Sequence, residues 1–297
     1  MPSDYTDDLR LAHVLADDAD STAQARFKAL DLHVMTKPDL SPVTDADRSV
    51  EEGIRRTLSR ARPRDAVVGE ETGSTGHSQR RWVVDPIDGT KNFVRGVPVW
   101  ASLISLMVDD EVVVGVVSAP MLNRRWWAMK GGGAWTGKSL LRATACQVSD
   151  ISRVEDASLS YSSLSGWDER GRLDDFLSLS RRCWRTRAYG DFWSYMMVAE
   201  GSVDIATEPA LEIYDMAALD VIVREAGGYF TSLSGEPGPT GGSALATNGK
   251  LHDQALAFLG SLEEGHDPHP GGTVHDLSAR RGASLDHSGD GSGDHSE

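Results

Sequence analysis

The stretch Trp82–Phe93, which reads WVVDPIDGTKNF, decides the fold. Its apolar start predicts a buried strand that delivers Asp85 and Asp88 around a proline turn. Such carboxylates need a compensating charge, because a buried unpaired charge is costly. Gly89 permits a close backbone approach, and Thr90 begins a predicted short helix whose free N–H groups suit a phosphate. On its own the stretch leaves two interpretations open, a metal site and a pair of ordinary Asx turns.

Two other segments favour the metal site. Glu70 follows a short apolar strand, and Asp215 stands at the start of a predicted helix, where an N-cap role is the alternative. Together with Asp85 and Asp88 they form an oxygen-only set with no neighbouring His or Cys. Hard oxygen ligands select Mg²⁺ or Mn²⁺ over zinc or copper. A pair of such ions would neutralise a phosphate and generate a nucleophilic hydroxide.

Apolar periodicity around these segments predicts alternating helices and strands. Residues 99–108 and 112–118 are predicted to form a hairpin. Helices are predicted within residues 5–29, 41–60, 173–181 and 215–226. The alternation favours a layered α/β fold.

The chain length predicts two subdomains that share an extensive core. The first, residues 1–142, would hold most metal ligands, and the second, residues 143–263, would hold the substrate-facing residues. Residues 264–297 contain few large apolar side chains, so we expect a disordered tail.

The composition excludes several functional classes. A net charge of −15 argues against binding to nucleic acid or to an anionic membrane surface. The apolar runs are too short for a spanning helix, and the acidic N-terminus lacks the pattern of a secretory signal. Two cysteines exclude a disulfide framework and fit a reducing compartment. We therefore expect a cytoplasmic protein.

Other phosphatase chemistries do not fit the spacing of the residues. Neither cysteine precedes an arginine at the distance that a cysteine phosphatase needs, and no histidine stands in an Arg-His-Gly turn. The pair Asp45 and Asp47 has the spacing of an aspartyl-phosphate enzyme but follows a proline-containing turn instead of an apolar strand. A Walker phosphate loop and a dinucleotide-binding glycine pattern are both missing from the sequence.

The chain resembles the inositol monophosphatase superfamily of Mg²⁺-dependent, lithium-sensitive phosphatases. Three blocks carry the resemblance, at residues 69–71, 82–93 and 214–228, and it spans about residues 5–262. Tyr214 departs from the tryptophan that many members have. The resemblance implies the alternating α-β-α-β-α layers of the Mg²⁺-dependent sugar and inositol phosphatases, and a homodimer.

Within that superfamily the chain is most similar to the histidinol-phosphate phosphatases, through residues 37–47 and 185–195. Inositol-specific members have a Gly-Ser/Ala-Ala type of stretch where this chain has Gly190, Asp191 and Phe192. A carboxylate there suits the cationic amine of histidinol phosphate, whereas inositol offers only hydroxyls. The implied reaction is hydrolysis of this small phosphate ester in histidine biosynthesis. An inositol-1-monophosphatase, a broad sugar-phosphate phosphatase and a non-catalytic partner of the transcription machinery are the alternatives.

The resemblance also implies residue roles. It implies two or three Mg²⁺ ions, with Mn²⁺ as a substitute, and the implied ligands are Glu70, Asp85, the Ile87 carbonyl, Asp88 and Asp215. The implied catalytic group is Glu70 with Thr90, hydrogen-bonded toward Asp47, which together position the attacking water. The implied substrate-binding set is Asp88, Gly89, Thr90, Arg187, Asp191 and Glu208. In this set Gly89 and Thr90 hold the phosphate by their N–H groups, Asp191 and Glu208 face the organic part, and Arg187 contacts the phosphate or a second subunit.

Overall fold

Two β-sheets alternate with three layers of helices in the part of the chain that the computed structural model describes, residues 4–38 and 40–260. The helices are α1 (Thr6–Arg26), α2 (Asp45–Ala61), α3 (Thr90–Arg95), α4 (Leu164–Glu169), α5 (Leu173–Arg182), α6 (Asp191–Ala199), α7 (Ile213–Glu225) and α8 (His252–Leu259). The tail expected at residues 264–297 lies outside the described residues.

The strands fall into a large sheet, a small sheet and a separate antiparallel pair. The pair is β1 (Val34–Thr36) with β2 (Pro42–Thr44). The large sheet contains β3 (Ala66–Gly69), β4 (Gly73–Thr75), β5 (Arg80–Asp88), β6 (Ala101–Val108), β7 (Glu111–Ala119), β8 (Arg124–Met129), β9 (Ala134–Ser139) and β10 (Arg142–Ala145). The small sheet contains β11 (Ser158–Ser160), β12 (Arg185–Arg187), β13 (Ile205–Glu208), β14 (Tyr229–Thr231) and β15 (Ala244–Thr247).

The large sheet has the order β10-β9-β8-β7-β6-β5-β3-β4. Its pairs are antiparallel except β3 with β5, and the predicted hairpin is confirmed as β6 and β7. The pairing of β5 with β6 shifts register between Asp85, opposite Leu103, and Asp88, opposite Ala101. The shift places one extra residue in β5. In a regular strand residues three apart point to opposite faces, so this bulge lets both carboxylates reach the same place.

The small sheet has the order β12-β11-β13-β15-β14, with parallel pairing of β11 to β12 and β13. Its strand β13 ends at Glu208, close in sequence to the start of α7. Glu208 and Asp215 therefore stand on either side of the short connection between the small sheet and α7.

Helices cover both faces of each sheet. Helices α1 and α2 pack on one face of the large sheet, and α7 packs on its other face. Helices α6 and α7 also contact the small sheet, while α8 packs against β15 and α5 lies beside α8. The predicted α-β-α-β-α layering is thus confirmed.

Three clusters of buried apolar side chains fill the spaces between the layers. The central cluster joins residues of the large sheet, such as Val117 and Trp126, to residues of α7 and the small sheet, such as Val221 and Phe230. The described residues all belong to one compact unit. A division into subdomains at residue 142 stays a prediction, and the core between its two parts is extensive.

The helices of the described residues include none that is both long enough and apolar enough to cross a bilayer.

Helix α7 lies so close to β7 that only glycine fits at residue 115. A Cβ atom added to Gly115 would lie 2.5 Å from Cγ1 of Val221 and 2.9 Å from the carbonyl oxygen of Ala218. We expect Gly115→Ala to lower the free energy of unfolding by about 1–3 kcal/mol, as overpacked cores do, measured by urea denaturation.

The matched control is Gly53→Ala, in helix α2. Its added Cβ would meet nothing closer than the Arg56 Nη2 atom, at 3.9 Å, and alanine favours a helix more than glycine does. We expect this variant to be as stable as the parent or more stable. Equal stability of Gly115→Ala and the parent would show that α7 can move away from β7 freely.

Candidate functional site

The bulge in β5 holds Asp85 in a buried turn. Its side chain is 2% exposed, and its Oδ1 atom accepts a hydrogen bond of 3.0 Å from the Ile87 amide. This contact is the Asx turn that the sequence left open as an alternative to a metal site. The same carboxylate also belongs to an acidic cluster, so the two interpretations describe one residue and do not compete.

Three carboxylates meet at this turn, although their elements lie in different layers. Asp85 and Asp88 come from the end of β5 and Asp215 from the first turn of α7, and one oxygen from each lies within 4.8 Å of the others. Asp215 is not the N-cap of α7, because the helix begins two residues earlier, and its Oδ2 atom accepts a hydrogen bond of 2.8 Å from the Glu212 amide.

Burial and mutual repulsion disfavour the ionised form of this cluster. Burial first, and then the charges of Glu70, Asp88 and Asp215, raise the pKa of Asp85 well above its usual value. Burial, with Asp191 and Asp215, does the same to the pKa of Asp88, and burial raises the pKa of Asp215 to about 7. A set of oxygen donors that repel one another fits a hard divalent cation, which would remove the repulsion.

Glu70 follows β3, and its amide donates to the Val84 carbonyl at 3.2 Å. It lines the same cavity and its charge raises the pKa of Asp85, but it is not one of the three carboxylates whose oxygens lie within 4.8 Å of one another. The Lys37 ammonium lies 2.6 Å from Glu70 Oε1 and 2.7 Å from Glu71 Oε1. Lys37 therefore offsets part of the negative charge at this end of the site.

Thr90 and Asp47 are brought together as the resemblance implies. The Thr90 hydroxyl lies 3.3 Å from Asp47 Oδ1 and 3.0 Å from the Ile87 carbonyl oxygen. Asp47 is fully buried in the first turn of α2, where its other oxygen accepts hydrogen bonds from the amide and hydroxyl of Thr44. Burial raises the pKa of Asp47, with Glu70 adding to the effect.

Gly89 precedes α3 with a φ of 84°, in the region that favours glycine. A Cβ atom there would lie 3.1 Å from the Val99 carbonyl oxygen and 3.3 Å from Oδ2 of Asp191. The backbone of Val99 thus passes close to Gly89, as expected of a glycine here. The nearest side chain is that of Asp191, a predicted substrate-binding residue.

Asp191 and Glu208 are linked through one serine. The Ser162 hydroxyl accepts a hydrogen bond of 2.8 Å from the Asp191 amide and donates to Oε1 of Glu208. Asp191 has a φ of 48°, and its Oδ2 atom accepts a hydrogen bond of 3.0 Å from Asn92. Burial, followed by the charges of Asp191 and Asp215, raises the pKa of Glu208 to about 8.

The start of α6 connects this pair to the acidic cluster. The Phe192 amide donates a hydrogen bond of 2.7 Å to Oδ2 of Asp88. Asp88 thus borders both the predicted metal site and the predicted substrate site.

A cavity of about 580 Å³ opens onto these groups. The predicted residues that line it are Glu70, Asp88, Asp191, Glu208 and Asp215. Arg187 does not line it, because it is exposed on the edge strand β12 and its guanidinium donates to the Thr186 carbonyl. Its role at a phosphate or a subunit contact stays a prediction, as do the roles of the other site residues.

Several residues at the site are missing from the sequence-based set. Lys91 and Arg170 add positive charge to the cavity lining, and Tyr195 borders it. Asn92 lies within residues 82–93, two residues after Thr90, so its place in the sequence could have indicated that it lies at the site. Ser162 lies in a segment of serines before α4 that carries no recognisable signal.

Comparison with known proteins agrees with this geometry. The sequence model of the inositol monophosphatase family matches residues 5–263. A histidinol-phosphatase from Streptomyces coelicolor is 64% identical, covering 87% of this chain and 98% of that protein. One from Mycobacterium tuberculosis is 59% identical, covering 85% and 98%. The solved extragenic suppressor protein suhB of Bartonella henselae superposes with a TM-score of 0.79 at 28% identity, covering 86% and 99%. The chain therefore belongs to the inositol monophosphatase family.

Proposed function

We propose that this protein is a Mg²⁺-dependent phosphomonoesterase that hydrolyses L-histidinol phosphate to L-histidinol and phosphate in histidine biosynthesis. The observation that carries the proposal is a cavity lined by two members of the acidic cluster, Asp88 and Asp215, and by a second pair of carboxylates, Asp191 and Glu208. The two relatives named histidinol-phosphatase support the substrate, since each matches over almost its whole length.

The acidic residues would hold the metal. Glu70, Asp85, Asp88, Asp215 and the Ile87 carbonyl supply only oxygen donors, which suits two or three Mg²⁺ ions, or Mn²⁺ in their place. The chemistry that such ions supply when bound is neutralisation of phosphoryl charge and a lowered pKa of a coordinated water.

The attacking water would be oriented by Thr90 and Glu70. The Thr90 hydroxyl proton is directed to Asp47 or to the Ile87 carbonyl, so the hydroxyl oxygen can accept a hydrogen bond from a water. Asp47 keeps this orientation because Thr44 fixes its other oxygen. Glu70 can accept the second proton of that water, and the N–H groups of Gly89 and Thr90 would bind the phosphate.

The organic part of the substrate would face Asp191 and Glu208. Two half-buried carboxylates near each other favour a cation between them, and histidinol phosphate carries an ammonium group there. Inositol 1-phosphate offers hydroxyls only. An inositol monophosphatase would use the same acidic cluster, so Asp191, which stands in the stretch where inositol-specific members differ, is the residue that would distinguish the two substrates.

The compartment and the oligomer belong to the same proposal. Cys146 is buried and Cys183 half-buried, both as free thiols, which fits a reducing cytoplasm. A homodimer is proposed from the family resemblance.

The test of the function is phosphate release in the presence of Mg²⁺, with L-histidinol phosphate compared with myo-inositol 1-phosphate. We expect a higher kcat/KM for histidinol phosphate. Asp85→Asn should reduce the turnover of both substrates by at least about 10³-fold. Hydrolysis of a phosphate ester is very slow without catalysis, so it depends on the full charge neutralisation that the site provides. Asp18→Asn, on the exposed face of α1, is the control and should retain the parent rate. Parent rates in Asp85→Asn would refute the mechanism, and a preference for inositol phosphate would refute the substrate.

Removal of the Asp191 charge should affect one substrate only. Asp191→Asn suits the positive φ of this residue, which asparagine tolerates better than alanine. Loss of a charge-assisted hydrogen bond of about 1.5–3 kcal/mol predicts about a 10- to 100-fold lower kcat/KM for histidinol phosphate. The kcat/KM for p-nitrophenyl phosphate, which has no amine, should remain within about threefold of the parent value in steady-state assays. An equal loss on both esters would place Asp191 in the phosphate chemistry instead.

The raised pKa values of the site carboxyls predict how stability changes with pH. The pKa values of Asp215 and Glu208 are raised to about 7 and about 8, so the folded state holds their protons more tightly than the unfolded state does. Their stabilising contribution is complete below about pH 4 and is lost as the pH rises through 7 and 8. Glu208→Gln lacks one of these titrating carboxyls. In the presence of a chelator, its melting temperature should therefore fall less between pH 5 and 8 than that of the parent.

Millimolar Mg²⁺ at pH 8 should raise the melting temperature of the parent by mass action. Asp18→Asn should keep this shift, and Asp85→Asn should lose most of it. A parent protein whose melting temperature does not respond to Mg²⁺ would contradict the metal site.

A further inference from the structure

Tyr195 lies on α6, four residues after Asp191, and both border the site cavity. Its side chain is 1% exposed, and its ring packs at a tilt against Phe230, with the ring centroids 5.9 Å apart. A phenylalanine ring would pack equally well at this position, so the packing does not explain why the residue carries a hydroxyl.

The Tyr195 hydroxyl is buried and has no hydrogen-bond partner among the described residues. An unsatisfied buried polar group is destabilising, and natural folds rarely retain one without a use. The hydroxyl is thus a donor that the protein holds beside the cavity.

The charges around this hydroxyl all belong to the site. Burial first, and then Glu208 ahead of Asp215, Asp88 and Asp191, raise the pKa of Tyr195, so the phenol stays protonated and able to donate. Each of these carboxylates accepts a hydrogen bond on one oxygen, so hydrogen bonding alone does not select a partner for Tyr195. Helix α6, which carries Tyr195, packs against β13, and β13 ends at Glu208. Glu208 accepts from Ser162 on Oε1, while its Oε2 atom accepts no hydrogen bond from the part of the chain that the structure describes.

We propose that Tyr195 is a positioning residue for Glu208, whose free oxygen receives the Tyr195 hydroxyl proton as a hydrogen bond when a cationic substrate occupies the cavity. Ser162 and Tyr195 would then hold the two oxygens of one carboxylate, which fixes its direction toward the substrate amine. The inference rests on the proposed function, because that substrate carries the amine.

The test is Tyr195→Phe, which removes only the hydroxyl. We expect KM for L-histidinol phosphate to rise about tenfold, equivalent to about 1.4 kcal/mol, with kcat within about threefold. KM for p-nitrophenyl phosphate should stay within about twofold of the parent. Tyr189→Phe is the matched control, because the Tyr189 hydroxyl contacts Arg185 and does not line the cavity, so both KM values should be unchanged.

Two further measurements separate positioning from a structural role. In a Glu208→Ala background, which has no side-chain acceptor at this position, Tyr195→Phe should raise KM no further, because the partner of the hydroxyl is gone. The melting temperature of Tyr195→Phe without substrate should equal or exceed that of the parent, since the lost group makes no hydrogen bond there.

Three results would overturn the inference: an unchanged KM, an equal rise for both esters, or a full additional rise in the Glu208→Ala background. These leave the proposed function intact, because that function fails only if the parent protein itself does not hydrolyse L-histidinol phosphate.

Discussion

Repulsion between buried carboxylates is the constraint on which the site depends. Asp85, Asp88 and Asp215 bring oxygens within 4.8 Å of one another where little water can screen them. The fold tolerates this because packed layers hold each carrier element: β5 is paired on both sides in the large sheet, and α7 is clamped between the two sheets. Clustering these carboxylates lowers the stability of the fold and creates a negative electrostatic potential that attracts cations, as is common at functional sites.

The second constraint is the direction of each oxygen. The backbone amides of Glu212, Phe192 and Ile87 donate hydrogen bonds to Asp215, Asp88 and Asp85, respectively. Each carboxylate is therefore oriented by the backbone. At the other end of the cavity, side chains perform this task for Asp191 and Glu208. Backbone donors cannot be changed by substitution, whereas side-chain donors can. The donors at the predicted metal-binding end therefore persist when side chains change, whereas those at the predicted substrate end can be removed by substitution.

Much of this architecture could be predicted from the sequence, because the decisive residues form one continuous stretch. Asp85, Asp88, Gly89 and Thr90 are neighbours in the chain, and local turn chemistry limits what they can do. Contacts between distant segments could not be predicted in this way. The bulge in β5 depends on its pairing with β6, and the Tyr195 hydroxyl gains its meaning only when α6 packs beside Glu208. The patterns along the chain did not indicate either of these two contacts.

The distance in sequence between β5 and α7 has a consequence for biosynthesis. A ribosome that has released the large sheet has already exposed two of the clustered acids, yet their third partner is still untranslated. The half-made chain therefore lacks the complete set of acidic residues. The proposed metal would therefore be bound only after α7 has packed on the large sheet, and its binding free energy would stabilise the finished fold and not the nascent chain.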